Sequence, residues 1–349
     1  MIETIHRSLR VVAIGGGTGL PVVLRGFKPL LQGLEDFAPD RLAAVVTVTD
    51  DGGSSGRLRD ELGMIPPGDI RNCLVALSHN EPLMARLFQA RYRSGGDLNG
   101  HNAGNLILAA LAQEENGNVL RAIRLASEVL NIHGEVYPSS LASVHLVATL
   151  QDGRTVEGES KIAGHGGAVS RIRLEPDAPP VTEGVVEIIE RADVVVFGPG
   201  SLYTSIIPNL LIPDLQRAVR RTGAFRVLVV NAMTEPGETG AFSVADHVRA
   251  VHEHAGGDII DAVLVAADPI PESVLDRYRR EGAARVDPND EVVDSLVPMV
   301  VRREVLEITP KVRHDPLLTA GGILAAWNGW KGRAGNRAAA ARRVAGAEG

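Results

Sequence analysis

Arg10-Val11-Val12-Ala13-Ile14 runs without a break into Gly15-Gly16-Gly17-Thr18-Gly19. A short apolar run that ends in glycines and gives way to a helical pattern reads as a strand, a tight loop and a helix. Further apolar runs stand at residues 43–48, 144–149, 193–197, 226–230 and 259–265, with helical patterns between them. Alternation of this kind predicts an α/β fold with a mainly parallel sheet covered on both faces.

Between the second and third runs lie helical patterns at residues 68–78, 82–92, 102–113 and 119–130, a helical insertion of about residues 66–131 placed to cap the ligand edge of the sheet. Residues 144–174 carry Gln151-Asp152-Gly153-Arg154, and Asp-Gly between alternating apolar residues predicts a tight turn in a small antiparallel element. Gly164-His165-Gly166-Gly167 inside it reads as a flexible loop. There is no internal repeat and no long linker, so residues 1–330 read as one domain. Beyond Trp330 the chain turns to Gly, Ala and Arg, with Lys331, Arg333, Arg337, Arg342 and Arg343 nearly unopposed, which predicts a disordered basic tail at residues 331–349.

The chain has 349 residues, 44% of them hydrophobic and 23% charged, the composition of an ordinary globular protein. A formal charge of -7 argues against a surface built to cover nucleic acid, so any phosphate recognition is expected to be local. The one cysteine, Cys73, sits in an apolar helical pattern with Ile70, Leu74 and Leu77 and reads as a buried thiol in a reducing compartment. Residues 1–10 lack the apolar core of a signal peptide, and no apolar run approaches the ~18 residues of a membrane span. A cytoplasmic protein with no membrane partner is the expectation, with a homodimer as its assembly.

In a parallel sheet all strands end on one edge, so loops after different strands converge there. Four such loops are small and polar: Gly15 to Gly19; Asp50-Asp51-Gly52-Gly53-Ser54-Ser55-Gly56-Arg57; Gly198-Pro199-Gly200-Ser201-Leu202-Tyr203-Thr204; and Asn231-Ala232-Met233-Thr234-Glu235. Together they predict a site for a nucleotide-type ligand. In the first loop, glycines let backbone N–H groups approach an anion and Thr18 is placed to donate at the helix start. Its pattern has Leu20 where a dinucleotide fingerprint needs a third glycine, and it lacks the lysine of a P-loop.

Asp50 and Asp51 admit three readings: ribose hydroxyl recognition, metal coordination and helix capping. Ser54, Ser55 and Arg57 suit a phosphate or sugar hydroxyls, because arginine offers a rigid donor fork. In Pro66-Pro67-Gly68-Asp69-Ile70-Arg71-Asn72 a helix starts at Gly68 or Asp69, which puts Arg71 and Asn72 in its first turn. A cation there opposes the helix dipole, which leaves two equal readings: a ligand or a buried carboxylate as its partner, or plain surface exposure. His101 and Asn105 are four residues apart and suit a hydrogen-bonding pair better than a metal site, since no Glu or second His completes a zinc set. Near the end, Asp315 reads as an N-cap with Pro316 at the first helical position, and Arg313 is placed to meet an anion or a structural carboxylate.

The stretches Ala13 to Leu20, Thr49 to Arg59, Pro66 to Asn72, Gly104-Asn105-Leu106 and Gly198 to Ser205, in that order, resemble the YvcK group of the CofD-like family. The resemblance spans about residues 10–325. It implies a Rossmann-like three-layer α/β/α fold. For this group it also implies a cytoplasmic protein that binds a UDP-sugar, UDP-N-acetylglucosamine or UDP-glucose, and is linked to gluconeogenic growth, cell-wall precursor supply and cell shape. A cell-wall precursor enzyme is the implied regulatory target. By the same resemblance, Gly15 to Gly19 and Gly198 to Thr204 hold the nucleotide end, and Arg71, Asn105 and Arg313 are candidates for the diphosphate or sugar. The CofD branch comprises 2-phospho-L-lactate transferases, which use magnesium to join a nucleotide-activated phospholactate to a deazaflavin. Residues 163–169 depart from the pattern, being rich in glycine and histidine where relatives carry a lysine-bearing loop. The basic tail lies outside the resemblance.

Three functions compete. A UDP-sugar-binding regulator needs no catalytic step and no cofactor. A CofD-like transferase would place magnesium through Asp50 or Asp51 to stabilise a leaving phosphate. A nicotinamide-dependent oxidoreductase is disfavoured by the broken fingerprint and by the lack of a hydride-transfer acid.

Overall fold

The computed structural model describes residues 8–33, 38–93, 95–164 and 167–345. Its strands are β1 (Val11–Gly15), β2 (Leu42–Val46), β3 (Glu135–Pro138), β4 (His145–Leu150), β5 (Thr155–Glu157), β6 (Val169–Glu175), β7 (Val194–Phe197), β8 (Phe225–Val229), β9 (Ala262–Ala266), β10 (Met299–Arg303), β11 (Leu306–Ile308) and β12 (Val312–His314). Seven of them form one sheet in the order β10-β9-β8-β7-β1-β2-β3, with every pairing parallel. The fold is the expected Rossmann-like α/β arrangement.

Strand periodicity sorts the side chains into two cores. Val11, Ala13, Ala44, Val46, Val194 and Val196 face one layer, with Leu24, Phe27 and Leu74 from the helices Leu20–Gln32 and Gly68–Leu77. Val12, Ile14, Ala43, Val45, Val195 and Phe197 face the other, against Leu215 and Val219 of helix Pro213–Arg221 and Val248 and Val251 of helix Val244–Ala255. Each of the Val, Leu, Ile and Phe side chains among them, fully buried, contributes roughly 1.5–3 kcal/mol of transfer free energy, and each Ala less. Because both faces are covered, the central strands are apolar throughout rather than alternating.

Several elements differ from expectation. Residues 144–149 are not in the parallel sheet; they form β4, the middle strand of the antiparallel sheet β5-β4-β6. The hairpin turn stands where Asp152-Gly153 predicted it, with Leu150 N donating to Arg154 O and Gly153 at φ +86°. The place beside β2 is taken by Glu135–Pro138, an edge strand too short and too polar to stand out in the sequence. The opposite edge is Met299–Arg303, half-exposed and ending in arginines.

The helix expected at residues 82–92 is Glu81–Phe88, capped by Asn80, because Arg91 and Tyr92 pair instead with Asn102 and His101. A short helix, Glu159–Gly164, occupies the start of the expected loop, whose His165 and Gly166 lie outside the described residues. Residues 331–345, expected to be disordered, continue the backbone of helix Pro316–Ala345, consistent with the helix propensity of alanine and arginine. Residues 346–349 lie outside the described residues. Among the described residues, no helix is long and apolar enough to cross a membrane.

The topology fixes where a ligand crevice opens. β1 is flanked by β2 on one side and β7 on the other, so the chain leaves these neighbouring strands in opposite directions. In open α/β sheets a ligand is expected beside the carboxyl ends of the strands at such a switch point, here the ends of β1 and β7.

Candidate functional site

The first and third glycine loops meet across the switch point. Gly19 packs so closely on the other loop that a Cβ there would fall 2.5 Å from the Pro199 carbonyl carbon and closer still to its oxygen. Gly16 is confined in the same way, by Thr47 Cγ2 at 2.5 Å and Asp69 Oδ2 at 2.7 Å from a Cβ. Gly17 has φ +61°, a left-handed conformation that only glycine adopts without strain. Gly200 is clamped by Asn231, which accepts from its N–H at 3.1 Å and donates to its carbonyl at 2.9 Å. The chain then enters a five-residue π-helical turn, Leu202–Ile206.

Asp50 and Asp51 point to different tasks. Asp50 accepts from its own loop at Gly52 N, 2.9 Å away. Asp51 reaches the small antiparallel unit, where it accepts from Ser160 N at 2.9 Å and so caps helix Glu159–Gly164. Of the three readings for the pair, capping holds for Asp51, although the capped helix is distant in sequence. Ser54 is a buried hub: its hydroxyl meets His101 Nδ1 at 3.2 Å, Asn102 N at 3.2 Å and Asn105 Nδ2 at 3.1 Å. His101 and Asn105, expected to pair on one helical face, meet only through Ser54, because His101 precedes the helix Ala103–Glu114. Ser55 is buried under Gly68. Arg57 lies at the rim and donates to Asn99 O at 2.9 Å.

Arg71 is buried, with Nη1 donating to Asn105 Oδ1 at 2.6 Å and Nη2 to Asn72 Oδ1 at 2.9 Å. Its Nε has no partner among the described residues. Burial lowers this guanidinium to about 10, with Arg91 adding to the shift and Asp69 and Asp50 opposing it. The unfavourable position in the helix's first turn is thus offset in part by the nearby Asp69 and Asp50. Asp69 itself accepts from Gly17 N at 2.6 Å, tying the helix Gly68–Leu77 to the first loop. Burial, with Asp50 adding to it, raises Asp69 to about 6 despite that bond.

Two carboxyl groups escaped sequence reasoning. Glu159 comes from the small antiparallel unit and accepts from Thr49 Oγ1 at 3.2 Å. Burial, then Asp50 and Asp69, raise it to about 9. Glu238 accepts from Tyr203 N at 3.1 Å and Thr204 Oγ1 at 3.0 Å, and burial with Glu235 raises it to about 7. Neither residue lies in a glycine-rich motif. The one available signal for Glu238 was its place just after the fourth loop.

Other predicted residues stand apart from the crevice. Thr18 is exposed, and Gly19, without a side chain, occupies the cap position of helix Leu20–Gln32. Met233 belongs to the hydrophobic core and bridges to Arg285. The Tyr203 ring is buried edge-on against Phe242 and His254, so this residue offers its backbone rather than its side chain. Arg313 is exposed on β12 opposite Glu307, with no hydrogen bond or ion pair to the four loops among the described residues. Asp315 caps the last helix as expected, accepting from Leu318 N at 2.8 Å. Among the described residues no group of three His, Cys, Asp or Glu is arranged to hold a metal ion.

The sequence and fold can be set beside known proteins. Residues 11–306 match the family model described as 2-phospho-L-lactate transferase CofD. The chain is 44% identical to the gluconeogenesis factor of Bacillus subtilis (strain 168) over 307 residues, covering 88% of this chain and 94% of that protein. It is also 44% identical to the gluconeogenesis factor of Halalkalibacterium halodurans over 316 residues, covering 90% and 95%. A crystal structure of a UPF0052-family protein from Bacillus halodurans superposes with a TM-score of 0.84 at 40% identity, covering 90% of this chain and 99% of that one. With ordered motifs, sheet topology and relatives in agreement, the chain belongs to the CofD-like family, in the YvcK group, among relatives named gluconeogenesis factor.

Proposed function

We propose that this protein binds a UDP-sugar, UDP-N-acetylglucosamine or UDP-glucose, in the crevice between β1 and β7 and acts as a regulator rather than a catalyst. The observation that carries this reading is the backbone-to-backbone approach of Gly19 and Pro199 at the sheet's switch point. Two glycine loops this close leave main chain, not side chains, to face a ligand, which suits a flat base and a diphosphate. Arg71, held by Asn72 and Asn105, supplies the buried positive charge for that diphosphate. Through this binding the protein would serve gluconeogenic growth, cell-wall precursor supply and cell shape, acting on a precursor enzyme in the cytoplasm. The name shared by its relatives supports the metabolic part of the reading.

A transferase reading has one observation in its favour: Asp50 and Asp69 lie close enough to raise the proton affinity of Glu159, and Asp50 that of Asp69. Magnesium bridging Asp50 and Asp51 does not fit, since Asp51 is engaged at Ser160. A metal carried in by a diphosphate would instead meet Asp50 and Asp69, whose oxygens suit a hard cation.

Calorimetric titration with UDP-N-acetylglucosamine, UDP-glucose, GDP and NAD, each with and without magnesium and with product analysis, separates the readings. Saturable UDP-sugar binding without turnover supports the regulator, and turnover of a nucleotide-activated phospholactate overturns it. Arg71→Ala is expected to weaken UDP-sugar binding by about 10- to 100-fold, the range of one or two charge-assisted hydrogen bonds. Unchanged affinity removes Arg71 from the site.

A further inference from the structure

We infer that Glu238 is a positioning residue that fixes the third loop, Gly198 to Thr204, from behind, so that this loop's hold on an anionic ligand is linked to a proton on Glu238. The inference rests on the nucleotide-sugar reading for its ligand, but the positioning itself rests on the geometry below.

A helical turn begins with N–H groups that have no acceptor within the turn. In the π turn Leu202–Ile206 the bonds that close the turn run from Ser205 N and Ile206 N to Ser201 O. Tyr203 N lies too early in the turn to join them, and Glu238 supplies its acceptor. One carboxylate oxygen takes Tyr203 N and the other takes the Thr204 hydroxyl. Only 4% of Glu238 is exposed, so neither bond competes with bulk water. Ionised, Glu238 makes charge-assisted bonds about twice as strong as neutral ones. Protonated, one oxygen still accepts from Tyr203 N and the other turns donor to Thr204 Oγ1, so the loop is held in both states and the ligand's charge decides which one it favours.

The side chain also stands on a rigid base. Glu238 N and Thr239 N both donate to Glu235 O, and Glu235 N donates to Thr239 Oγ1, closing a compact turn around the fully buried Thr239. The same loop after β8 contributes Asn231, which grips Gly200 by both its N–H and its carbonyl. The third loop is therefore held twice by one neighbour, at Gly200 in front and at Tyr203 and Thr204 behind. Asn231 cannot titrate, whereas Glu238 can.

The groups around Glu238 set the direction of that titration. Glu235 lies on its own turn, Glu159 approaches from helix Glu159–Gly164, and Tyr203 lies on the π turn. Asp246 and Glu253, on helix Val244–Ala255, face Tyr203. Burial first and then Glu235 favour the protonated form, and they outweigh the bonds from Thr204 and Tyr203 to bring Glu238 to about 7. A diphosphate arriving at the loop adds negative charge and raises its proton affinity further. Ligand binding is then accompanied by proton uptake, and affinity falls as pH rises through neutrality. The diphosphate diester of a UDP-sugar has no ionisation of its own in this range, so the proton belongs to the protein.

The chain holds four tyrosines, so selective 15N-tyrosine labelling gives four amide signals, and Tyr203→Phe identifies one of them. In ligand-free protein the Tyr203 amide signal is expected to titrate with a midpoint at about 7 and to stay flat in Glu238→Gln. A wild-type signal that does not move between about pH 6 and 8, or that moves equally in the variant, overturns the inference. In calorimetry, UDP-N-acetylglucosamine affinity is expected to fall by about fourfold from pH 6.5 to 8, the effect in that window of a one-unit rise in one carboxyl starting at about 7. Glu238→Gln is expected to flatten that profile and to reduce the protons taken up, read from buffers of different ionisation enthalpy. Binding that is independent of pH in the wild type overturns the proton linkage. A Tyr203 titration without any UDP-sugar binding upholds the positioning role and removes the nucleotide-sugar reading instead.

Discussion

Gly19→Ala isolates the contact on which the crevice depends. Gly19 has φ -80°, an ordinary conformation for alanine, so the substitution carries no backbone strain. Its cost is steric: the new Cβ would stand 2.5 Å from the Pro199 carbonyl carbon, against about 3.5–4.0 Å for relaxed carbon contacts. One loop must retreat by about 1 Å, and both neighbours are backbone, which no rotamer change can relieve. Overpacking of this severity costs about 3 kcal/mol. At roughly 2.1 cal/mol/K of unfolding entropy per residue, a chain this long has about 0.7 kcal/mol/K in all, so the melting temperature is expected to drop by about 4 °C.

Gly17→Ala is the matched control. It has the strained φ of +61° but open space, with Ser205 Oγ at 3.5 Å as the nearest neighbour, so about 1–2 kcal/mol is expected. Differential scanning fluorimetry gives the ranking, and titration with UDP-N-acetylglucosamine tests whether the 1 Å separation abolishes binding. A Gly19→Ala protein no less stable than Gly17→Ala would refute the argument that the two loops are in hard contact.

Asp51→Ala removes the cap on Ser160 N and is expected to cost about 1 kcal/mol, read as faster hydrogen exchange in residues 159–164, whereas Asp50→Ala leaves that exchange unchanged. His314 is buried and lowered by burial to about 4, so below its unfolded value of about 6.5 the unfolded chain binds a proton that the folded chain does not. Stability is thus lost as pH falls from about 6.5 to 4. Denaturation across that window should show His314→Gln losing less than wild type, and parallel curves would contradict the assignment. Glu159 works in the opposite sense: its raised value of about 9 means stability is lost as pH rises above its unfolded range. Glu159→Gln is expected to gain on wild type by up to about 1.4 kcal/mol per pH unit between pH 5 and 9.

The sequence read most reliably where local chemistry and tertiary structure want the same residues. Val11 to Ile14 is apolar on both faces because a central parallel strand is buried on both faces, and the glycine loops mark strand ends because only glycine allows so close an approach. Edge strands carry no such mark. Glu135–Pro138 and Met299–Arg303 are half-exposed, so their composition resembles that of loops. Residues 144–149 misled for the converse reason: a strand of a second, small sheet buries its residues as fully as a central strand does.

What the sequence determined by itself was the set of strand-end loops, the α/β class and the family, since each depends on short motifs with their own backbone requirements. The partners across the loops were decided only in three dimensions. Glu159, 110 residues from Thr49, and Glu238, 34 residues from Thr204, enter the site through packing. Their raised proton affinities come from burial and neighbouring carboxyls. Likewise, Asp50 and Asp51 look equivalent in sequence, yet one turns back on its own loop and the other crosses to Ser160. Neighbouring residues on an irregular loop project in different directions, and only the fold supplies what each one meets.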